Sequence, residues 1–398
     1  LFKGIKMHQV SERMNRVLPS ATSAVLNLAA KLKEEGKDII SLGAGEPDFD
    51  TPLHIKEAAI KAIKDGHTKY TAIDGTLTLK KAIINKFKQD NDLIYDYDQI
   101  IVSSGAKQTL FNLCMGLLQH GDEAIIPSPY WVSYPDMVRI ADATPRFIET
   151  NIESNFKISP KMLKDSLNNK TRLIFLNSPS NPTGSCYTKK ELLEIGDVLL
   201  NYPNIIIASD DIYEKIHWGK SKFYNIGTAV PELKNRVVTI NGVSKCYAMT
   251  GWRIGYAGGP KEIITSMKTV QSQSTSNPSS ISQIAATEAI NGSQVCVENM
   301  VIEYKKRNDF IIKALNKIPG FECNDADGAF YAFPRVDKAI QSNNLKNDIE
   351  LAALILNKAG VVVVPGTPFG APGYIRLSYA CSMTELKKAT DQIAKAIE

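Results

Sequence analysis

The segment RVVTINGVSKCYAMTGWRIGYAG, residues 236–258, places a polar turn between two short apolar runs. The runs Arg236–Ile240 and Ile254–Gly258 have the length and composition of buried strands. Ser244 and Lys245 follow the first run closely. Since ligands of open α/β sheets bind beyond the carboxyl ends of the strands, this turn is predicted to belong to a binding site.

The same pattern of apolar runs followed by Gly, Pro, Ser and Asn clusters extends over residues 99–260. Helical stretches alternate with the runs, which predicts an α/β fold with a mostly parallel central sheet and helices on both faces. Polar clusters follow several of the runs, as expected for a site at one edge of the sheet. Besides the two runs above, the predicted strands are Gln99–Ser103, Glu123–Ile126, Arg146–Thr150, Arg172–Leu176 and Asn204–Ala208.

A second, smaller group of elements is predicted after residue 300. An amphipathic stretch, Val301–Ile318, precedes three short strands, and a helix over Thr384–Ile397 closes the chain. We expect a large domain of residues 48–300 and a small α+β domain formed by residues 1–47 and 301–398. The strands predicted in the small domain are Ala329–Pro334, Gly360–Pro365 and Tyr374–Ser378.

The composition excludes several classes of protein. The chain has 398 residues, of which 43% are hydrophobic and 22% charged, values typical of a soluble globular protein with more than one core. The net charge is +5, but the basic runs are short, so no nucleic-acid partner is expected. No apolar stretch approaches the ~20 residues that span a bilayer, and no signal-peptide core is evident, so no membrane association is expected.

The six cysteines are scattered without a C-x-x-C pair. This spacing favours neither a disulfide framework nor a zinc site, and we expect no bound metal. A reducing compartment fits such free thiols best, so the expected location is the cytoplasm.

The chain as a whole resembles the class I aminotransferases, which are fold-type I enzymes dependent on pyridoxal phosphate. The match is closest to the bacterial subgroup of aspartate aminotransferases. It extends from Pro19-Ser20-Ala21-Thr22 to Arg376-Leu377-Ser378-Tyr379, and such motifs in this order are highly specific. The landmarks between these ends are GAGEPDF at residues 43–49, YWVSYP at 130–135, NPTG at 181–184 and the segment Lys245 to Tyr256.

The resemblance implies that Lys245 bonds to the cofactor and moves a proton during catalysis. Asp210, at the end of an apolar strand, would keep the ring nitrogen protonated, although a helix N-cap is the alternative reading of this residue. Tyr213 and Asn181 resemble the residues that form hydrogen bonds with the phenolate oxygen on the cofactor ring. Asp211 stands where many relatives have Glu, and no catalytic role is expected for it.

The cofactor phosphate needs backbone N–H groups at a helix start and a rigid cation. Gly105, Ala106 and Lys107 precede a predicted helix over Gln108–Leu118, and Arg253 supplies a planar fork that can hold two phosphate oxygens.

Two further residues are expected near the phosphate. Ser244 would add a hydroxyl, although relatives usually carry that serine where this chain has Gly242. Tyr70 resembles the tyrosine that reaches the phosphate of a neighbouring subunit, which implies a homodimer with shared active sites. A packed loop tyrosine is the alternative for Tyr70.

Arg376 lies in an otherwise apolar run, and a buried guanidinium requires an anionic partner. The resemblance implies that this partner is the substrate α-carboxylate, whereas an internal salt bridge is the alternative. Trp131 would stack on the pyridine ring, or else belong to the core. Asn181 and Gly45 would also contact the substrate, with the backbone of Gly45 closing over it.

Recognition of an acidic side chain requires a further cation. The region Gln271–Pro278, where other subgroups place an arginine, contains no basic residue. Lys107 is the best candidate for this contact, because its backbone is held beside the cofactor while its stem is flexible. The alternative is that Lys107 only adds charge to the phosphate cradle.

The resemblance therefore predicts transfer of an amino group from aspartate to 2-oxoglutarate, with amino acids and 2-oxo acids as small-molecule partners. A broader aminotransferase acting on prephenate or aromatic substrates is the alternative, and relatives with the prephenate activity often carry Lys where this chain has Leu18. Two other readings are a lyase on the same fold and a non-catalytic regulator fused to a DNA-binding domain. No helix-turn-helix segment is expected before residue 20, which argues against the regulator.

Overall fold

The computed structural model describes residues 11–17 and 21–397. Its strands, in chain order, are β1 (Ile40–Ser41), β2 (Ile100–Ser103), β3 (Glu123–Ser128), β4 (Thr144–Glu149), β5 (Thr171–Asn177), β6 (Ile206–Asp210), β7 (Val237–Gly242), β8 (Gly255–Gly258), β9 (Tyr331–Ala332), β10 (Val361–Val362), β11 (Val364–Pro365) and β12 (Ile375–Ser378).

The α-helices are α1 (Ala21–Glu34), α2 (Leu53–Lys64), α3 (Leu77–Asn91), α4 (Ala106–Leu117), α5 (Tyr134–Ile140), α6 (Pro160–Ser166), α7 (Lys189–Leu200), α8 (Ile226–Ala229), α9 (Lys261–Ser272), α10 (Ser280–Asn291), α11 (Val295–Leu315), α12 (Asp337–Ser342), α13 (Asp348–Ala359) and α14 (Met383–Ile397). Short 3₁₀ helices cover Glu12–Arg16, Tyr97–Gln99, Ile152–Ser154, Pro231–Arg236, Thr250–Trp252 and Thr367–Phe369.

Local chemistry sets several of these boundaries. Helix α7 begins with a capping box, in which Thr188 Oγ1 accepts from the backbone N–H of Glu191 and the Glu191 carboxylate accepts from that of Thr188. Helix α13 ends at Gly360, whose φ of 62° is left-handed and therefore favours glycine. Helix α4 begins two residues before the predicted start, because Gly105 turns the chain at a φ of 95° and leaves Ala106 and Lys107 in the first turn.

The central sheet has seven strands in the order β2-β8-β7-β6-β5-β3-β4. Strands β3 to β7 are parallel to their neighbours in this group, whereas β8 runs antiparallel to both β7 and β2. The prediction of a mostly parallel sheet is confirmed, and each strand predicted for it coincides with an observed one to within a few residues. The carboxyl ends of β5, β6 and β7 therefore meet at one edge. Outside this sheet, the single strand predicted over Gly360–Pro365 is wrong, because β10 and β11 belong to two different sheets.

Helices cover both faces of this sheet, as predicted. Along β5, Leu173 and Phe175 pack on the side of α4, α5 and α9, while Ile174 and Leu176 pack on the side of α6 and α7. All four side chains are buried. Burial on both faces explains why these strands are continuous apolar runs in the sequence rather than alternating ones.

Two small sheets accompany the last third of the chain. Strands β11, β12 and β9 form an antiparallel sheet, and β1 pairs in parallel with β10, aligning Ile40 with Val361. Helix α11 begins at Val295, earlier than the predicted stretch. Val297 and Met300 are buried at helical spacing, so the apolar face of this helix begins before the predicted stretch.

Among the helices of the described part of the chain, none combines the length and the apolar character needed to cross a bilayer.

Candidate active site

A cavity of about 400 Å³ opens beyond the carboxyl ends of β5, β6 and β7. Of the residues predicted for the site, two do not line this cavity. Gly105 is the sequence neighbour of the lining residue Ala106, and Tyr70 lies outside the cavity with 92% of its surface exposed. The other residues predicted for the site line the cavity together: Gly45, Ala106, Lys107, Trp131, Asn181, Asp210, Tyr213, Ser244, Lys245, Arg253 and Arg376.

Lys245 projects from the turn after β7 and is partly buried. Its Nζ donates a hydrogen bond of 2.5 Å to the carbonyl oxygen of Gly45 and lies 5.9 Å from the centre of the Tyr213 ring. Burial, together with the positive charge of Arg376, lowers the pKa of Lys245 to about 8. An amine with a lowered pKa is more readily available as a nucleophile or a base near neutral pH.

Asp210 ends β6 and is 4% exposed. The hydroxyl of Tyr134 donates to its Oδ2 at 2.5 Å, and the backbone N–H of Ile212 donates to its Oδ1 at 3.4 Å. Burial raises the pKa of Asp210 to about 6, while the bond from Tyr134 acts in the opposite direction. The carboxyl group is therefore held in place at the cavity wall with its charge only partly compensated.

Asp211 lies on the other side of the same segment and does not line the cavity. It is 1% exposed, and its carboxylate accepts hydrogen bonds from Ser209 at 2.7 Å and from Asn225 at 2.6 Å. These contacts give Asp211 a place in the interior of the sheet, behind the site.

Tyr213 shares a hydrogen bond of 2.8 Å with the hydroxyl of Tyr331. Burial raises the pKa of Tyr213 well above its usual value, so the phenol keeps its proton at neutral pH. Tyr331 was not predicted as a site residue. The centre of its ring lies 4.6 Å from the guanidinium of Arg376. Tyr331 therefore contacts both Tyr213 and Arg376.

Arg376 is 2% exposed, on β12. Its Nη1 donates to Asn181 Oδ1 at 3.0 Å and its Nη2 to the carbonyl oxygen of Gly43 at 2.8 Å. Within residues 11–17 and 21–397, its Nε has no hydrogen-bond partner and no carboxylate pairs with it. The internal salt bridge is therefore not found in the described chain, and the guanidinium keeps the capacity to bind an anion.

The start of α4 and Arg253 form a close-fitting cradle. A Cβ at Gly105 would lie 2.2 Å from Arg253 Nη2, and one at Gly255 would lie 2.1 Å from the backbone nitrogen of Ala106. Arg253 has a φ of 56°, and its Nη1 donates to the carbonyl oxygen of Thr250 at 2.8 Å. A helix N-terminus beside a guanidinium has the chemistry of a phosphate site.

Lys107 follows in the first turn of α4, with its Nζ 5.0 Å from the centre of the Trp131 ring. Burial lowers the pKa of Lys107, and the positive charge of Arg253 lowers it further. Lys107 also lines a second cavity of about 730 Å³, which Ser274 and Thr275 border. Lys107 therefore borders both the predicted site and the cavity beside the segment Gln271–Pro278, which lacks basic residues.

The remaining predicted contacts come from small residues. Ser244 is 7% exposed and faces the cavity beside Lys245. A Cβ at Gly45 would lie 3.1 Å from the hydroxyl of Tyr331, which leaves little room for a side chain at this point. The backbone of Gly45 therefore forms the wall opposite Lys245.

Sequence reasoning missed two residues that contact the predicted ones, Tyr134 and Tyr331. Tyr134 is part of the YWVSYP motif, so its place in a landmark was a usable signal. Tyr331 lies in the short strand β9 of the three-stranded antiparallel sheet, and no local pattern distinguishes it from a core tyrosine.

Taken together, these residues fit pyridoxal phosphate. The cavity contains an amine, a buried carboxyl group, a phenol and a phosphate cradle that a side chain at Gly105 would fill.

The model of the family described as "Aminotransferase class I and II" matches residues 37–393 of this chain. The chain is 53% identical to the aspartate/prephenate aminotransferase of Nitrosomonas europaea over 395 residues, 98% of this chain and 100% of that protein. A crystal structure of the aspartate aminotransferase from Rhizobium meliloti matches with a TM-score of 0.94 and 45% identity, over 98% of this chain and 99% of that one. The aspartate aminotransferase from Thermus thermophilus with maleate matches with a TM-score of 0.92 and 39% identity, over 98% and 100%.

Proposed function

Because the chain belongs to the class I and II aminotransferases, we propose that it transfers the amino group of L-aspartate to 2-oxoglutarate, giving oxaloacetate and L-glutamate. The observation that carries this substrate choice is a pair of cations in one cavity, Arg376 and Lys107. A dicarboxylic substrate presents one carboxylate to each. The relative from Thermus thermophilus was solved with maleate, which is a dicarboxylate.

The family uses pyridoxal phosphate, and the residues that would hold it here follow from the geometry. Asp210 would accept a hydrogen bond from the protonated ring nitrogen and so keep it protonated, and Tyr213 with Asn181 would bond the phenolate oxygen on the ring. Trp131 would cover one face of the ring. The phosphate would lie against the backbone of Gly105, Ala106 and Lys107 and against the side chains of Ser244 and Arg253, which leaves the ammonium group of Lys107 for the substrate.

Bound pyridoxal phosphate supplies an aldehyde carbon for covalent attachment and a protonated ring that accepts the electron pair released at the substrate Cα. Lys245 would carry the cofactor at Nζ and later take the Cα proton at the same atom. Its lowered pKa, about 8, keeps a useful fraction of Nζ unprotonated near neutral pH.

Arg376 would orient the substrate through its α-carboxylate. Its Nη1 and Nη2 already donate to neutral oxygens of Asn181 and Gly43, which fix the plane of the guanidinium. A carboxylate in this cavity would form charge-assisted bonds in a buried setting, where such bonds are strongest. The backbone of Gly45 would close over the bound substrate.

A screen of amino donors tests the proposed substrate. The purified holoenzyme is mixed with single donors, and the absorbance of the bound cofactor reports the half-reaction. Aspartate and glutamate should react with a kcat/KM at least tenfold above that of alanine or phenylalanine, since each lost charge-assisted contact costs roughly tenfold or more. Equal rates for all donors, or none for aspartate, would refute the proposal.

A second candidate function is amino transfer to prephenate, because the relative from Nitrosomonas europaea carries this activity in its name. Leu18, the position that bears on it, lies outside the described residues, as do Pro19 and Ser20. The same holoenzyme with glutamate as donor and prephenate as acceptor decides the question, by the formation of 2-oxoglutarate.

We also propose that the enzyme is a cytoplasmic homodimer in which Tyr70 of one subunit reaches the phosphate of the other. The 92% exposure of Tyr70 supports the contact with a second subunit. The six free cysteines support a location in the reducing cytoplasm. The proposed domains remain residues 48–300 and residues 1–47 with 301–398. The boundary at residue 300 falls inside α11, which would connect the two domains as a continuous helix.

A further inference from the structure

Tyr134 is a buried residue in the wall of the cavity, and its ring packs into the core. It is 2% exposed, and its ring stacks on Phe175 at 4.6 Å between centroids with an interplanar angle of 21°. The edge of the Trp131 ring system meets it at 5.4 Å. These two contacts fix the ring, so the direction of its hydroxyl is fixed as well.

The hydroxyl points at one oxygen of Asp210, the 2.5 Å bond to Oδ2. From the part of the chain that the structure describes, Oδ1 receives only the longer bond from the backbone of Ile212, at 3.4 Å. The two carboxyl oxygens are therefore unequal: one is held by a buried phenol, and the other remains more available at the cavity wall.

We propose that Tyr134 is a positioning residue, which anchors Asp210 through Oδ2 and stabilises its ionised form so that Oδ1 can bond the ring nitrogen of the cofactor. This inference rests on the proposed function for the role of Asp210. It assigns to this chain a residue that acts through Asp210.

The charges around Asp210 determine what loss of the hydroxyl should do. Tyr134 faces it from α5, Lys245 from the turn after β7, and Tyr213 and Asp211 belong to its own segment. Of these, only the Tyr134 hydroxyl donates to the carboxylate at hydrogen-bond distance.

The sign of the pH dependence follows from burial. The pKa of Asp210, about 6 in the folded protein, exceeds that of an unfolded aspartate, roughly 3.9. The folded state thus binds more protons between these values, and stability falls as the pH rises through this window. Removing the donor raises the folded pKa further and extends the fall to higher pH.

Tyr134→Phe therefore tests the proposal in the cofactor-free, full-length protein. The substitution keeps the ring contacts and removes only the oxygen. The loss in unfolding temperature should be greater at pH 8 than at pH 5 by roughly 1–2 °C, the size expected for a carboxyl pKa shift of about one unit in a chain of this length. In an Asp210→Asn background, the loss should be equal at the two pH values.

Tyr95→Phe is the matched control. Tyr95 is 5% exposed, and its hydroxyl shares a bond of 3.1 Å with Thr239 rather than with Asp210. Its loss should cost the same at both pH values.

Cofactor affinity gives a second readout. If the pKa of Asp210 rises by about one unit, the ionised fraction at pH 6 falls roughly fivefold, and the dissociation constant for pyridoxal phosphate should rise by the same factor. At pH 8 it should change little.

Equal losses for Tyr134→Phe at both pH values would overturn the proposal, because a merely structural role predicts that result. Failure to fold at both pH values and in both backgrounds would overturn it equally. The stability arm needs no substrate, so its outcome is independent of the donor screen.

Discussion

Lys245 concentrates the covalent chemistry of the proposed mechanism in one residue. Replacing it by alanine removes the amine, so turnover should be lost, while the fold and non-covalent cofactor binding remain largely intact. In the wild-type holoenzyme, borohydride reduction should fix the cofactor covalently to the protein, and mass spectrometry should find this label on the peptide that contains Lys245. A label on any other lysine would contradict the assignment.

Lys107 separates substrate recognition from cofactor binding. If it holds the distal carboxylate, Lys107→Ala should lower kcat/KM for aspartate and glutamate by roughly tenfold to a few hundredfold, as for the loss of a contact worth about 1.5–3 kcal/mol. Alanine and aromatic donors should change little, and Lys261→Ala, which removes a surface ion pair with Asp98, should leave all donors unaffected. A uniform loss accompanied by weaker cofactor binding would instead place Lys107 in the phosphate cradle.

The residues that carry charge or a reactive atom were accessible from sequence, whereas those acting through another side chain were not. Arg376 stands out because a guanidinium in an apolar run needs an anionic partner, whereas Lys245 and Asp210 were assigned their roles through the resemblance to the class I aminotransferases. Tyr134 and Tyr331 are tyrosines in apolar surroundings, and sequence alone does not distinguish a buried hydroxyl bonded to a site residue from one that is simply part of the core.

At the scale of elements, the turn from β2 into α4 is the most constrained part of the cradle. Gly105→Ala combines a left-handed φ of 95° with a Cβ 2.2 Å from Arg253 Nη2. We expect a stability loss of about 1–3 kcal/mol and a cofactor dissociation constant at least tenfold higher. Denaturant unfolding and cofactor titration of the same protein measure both effects.

Gly121→Ala isolates the backbone contribution to that loss. Gly121 has a similar φ of 89°, but no atom of residues 11–17 and 21–397 lies within 4 Å of its Cβ position. It should lose stability without losing cofactor affinity. If Gly105→Ala behaves in the same way, the collision with Arg253 has no bearing on the phosphate site.

The strands of the central sheet were predictable because burial on both faces makes each of them a continuous apolar run. The start of α11 was predicted too late, although the buried Val297 and Met300 already continue its apolar spacing. The start of α4, by contrast, depends on the φ of one glycine rather than on a pattern.

At the scale of the whole molecule, the dimer proposal concerns the phosphate site of each subunit. A chain carrying both Tyr70→Phe and Lys245→Ala is mixed with wild-type chains. In each mixed dimer, only the wild-type chain keeps Lys245, and the residue that reaches its phosphate site from the variant chain is phenylalanine instead of Tyr70. That site should bind the cofactor more weakly than the same site in mixtures made with Lys245→Ala alone. Sedimentation establishes the dimer first, and identical affinities in the two mixtures would exclude the cross-subunit contact.

The hydrogen bond between Arg376 and the carbonyl oxygen of Gly43 joins residues 333 positions apart in the chain. On a ribosome that adds roughly 5–20 residues each second, Gly43 waits about 20–70 s for its partner to be synthesised. The strands of the central sheet all leave the ribosome well before Arg376 does. A nascent chain can therefore assemble the cofactor side of the cavity early, while the carboxylate side stays unformed until Arg376 has been synthesised.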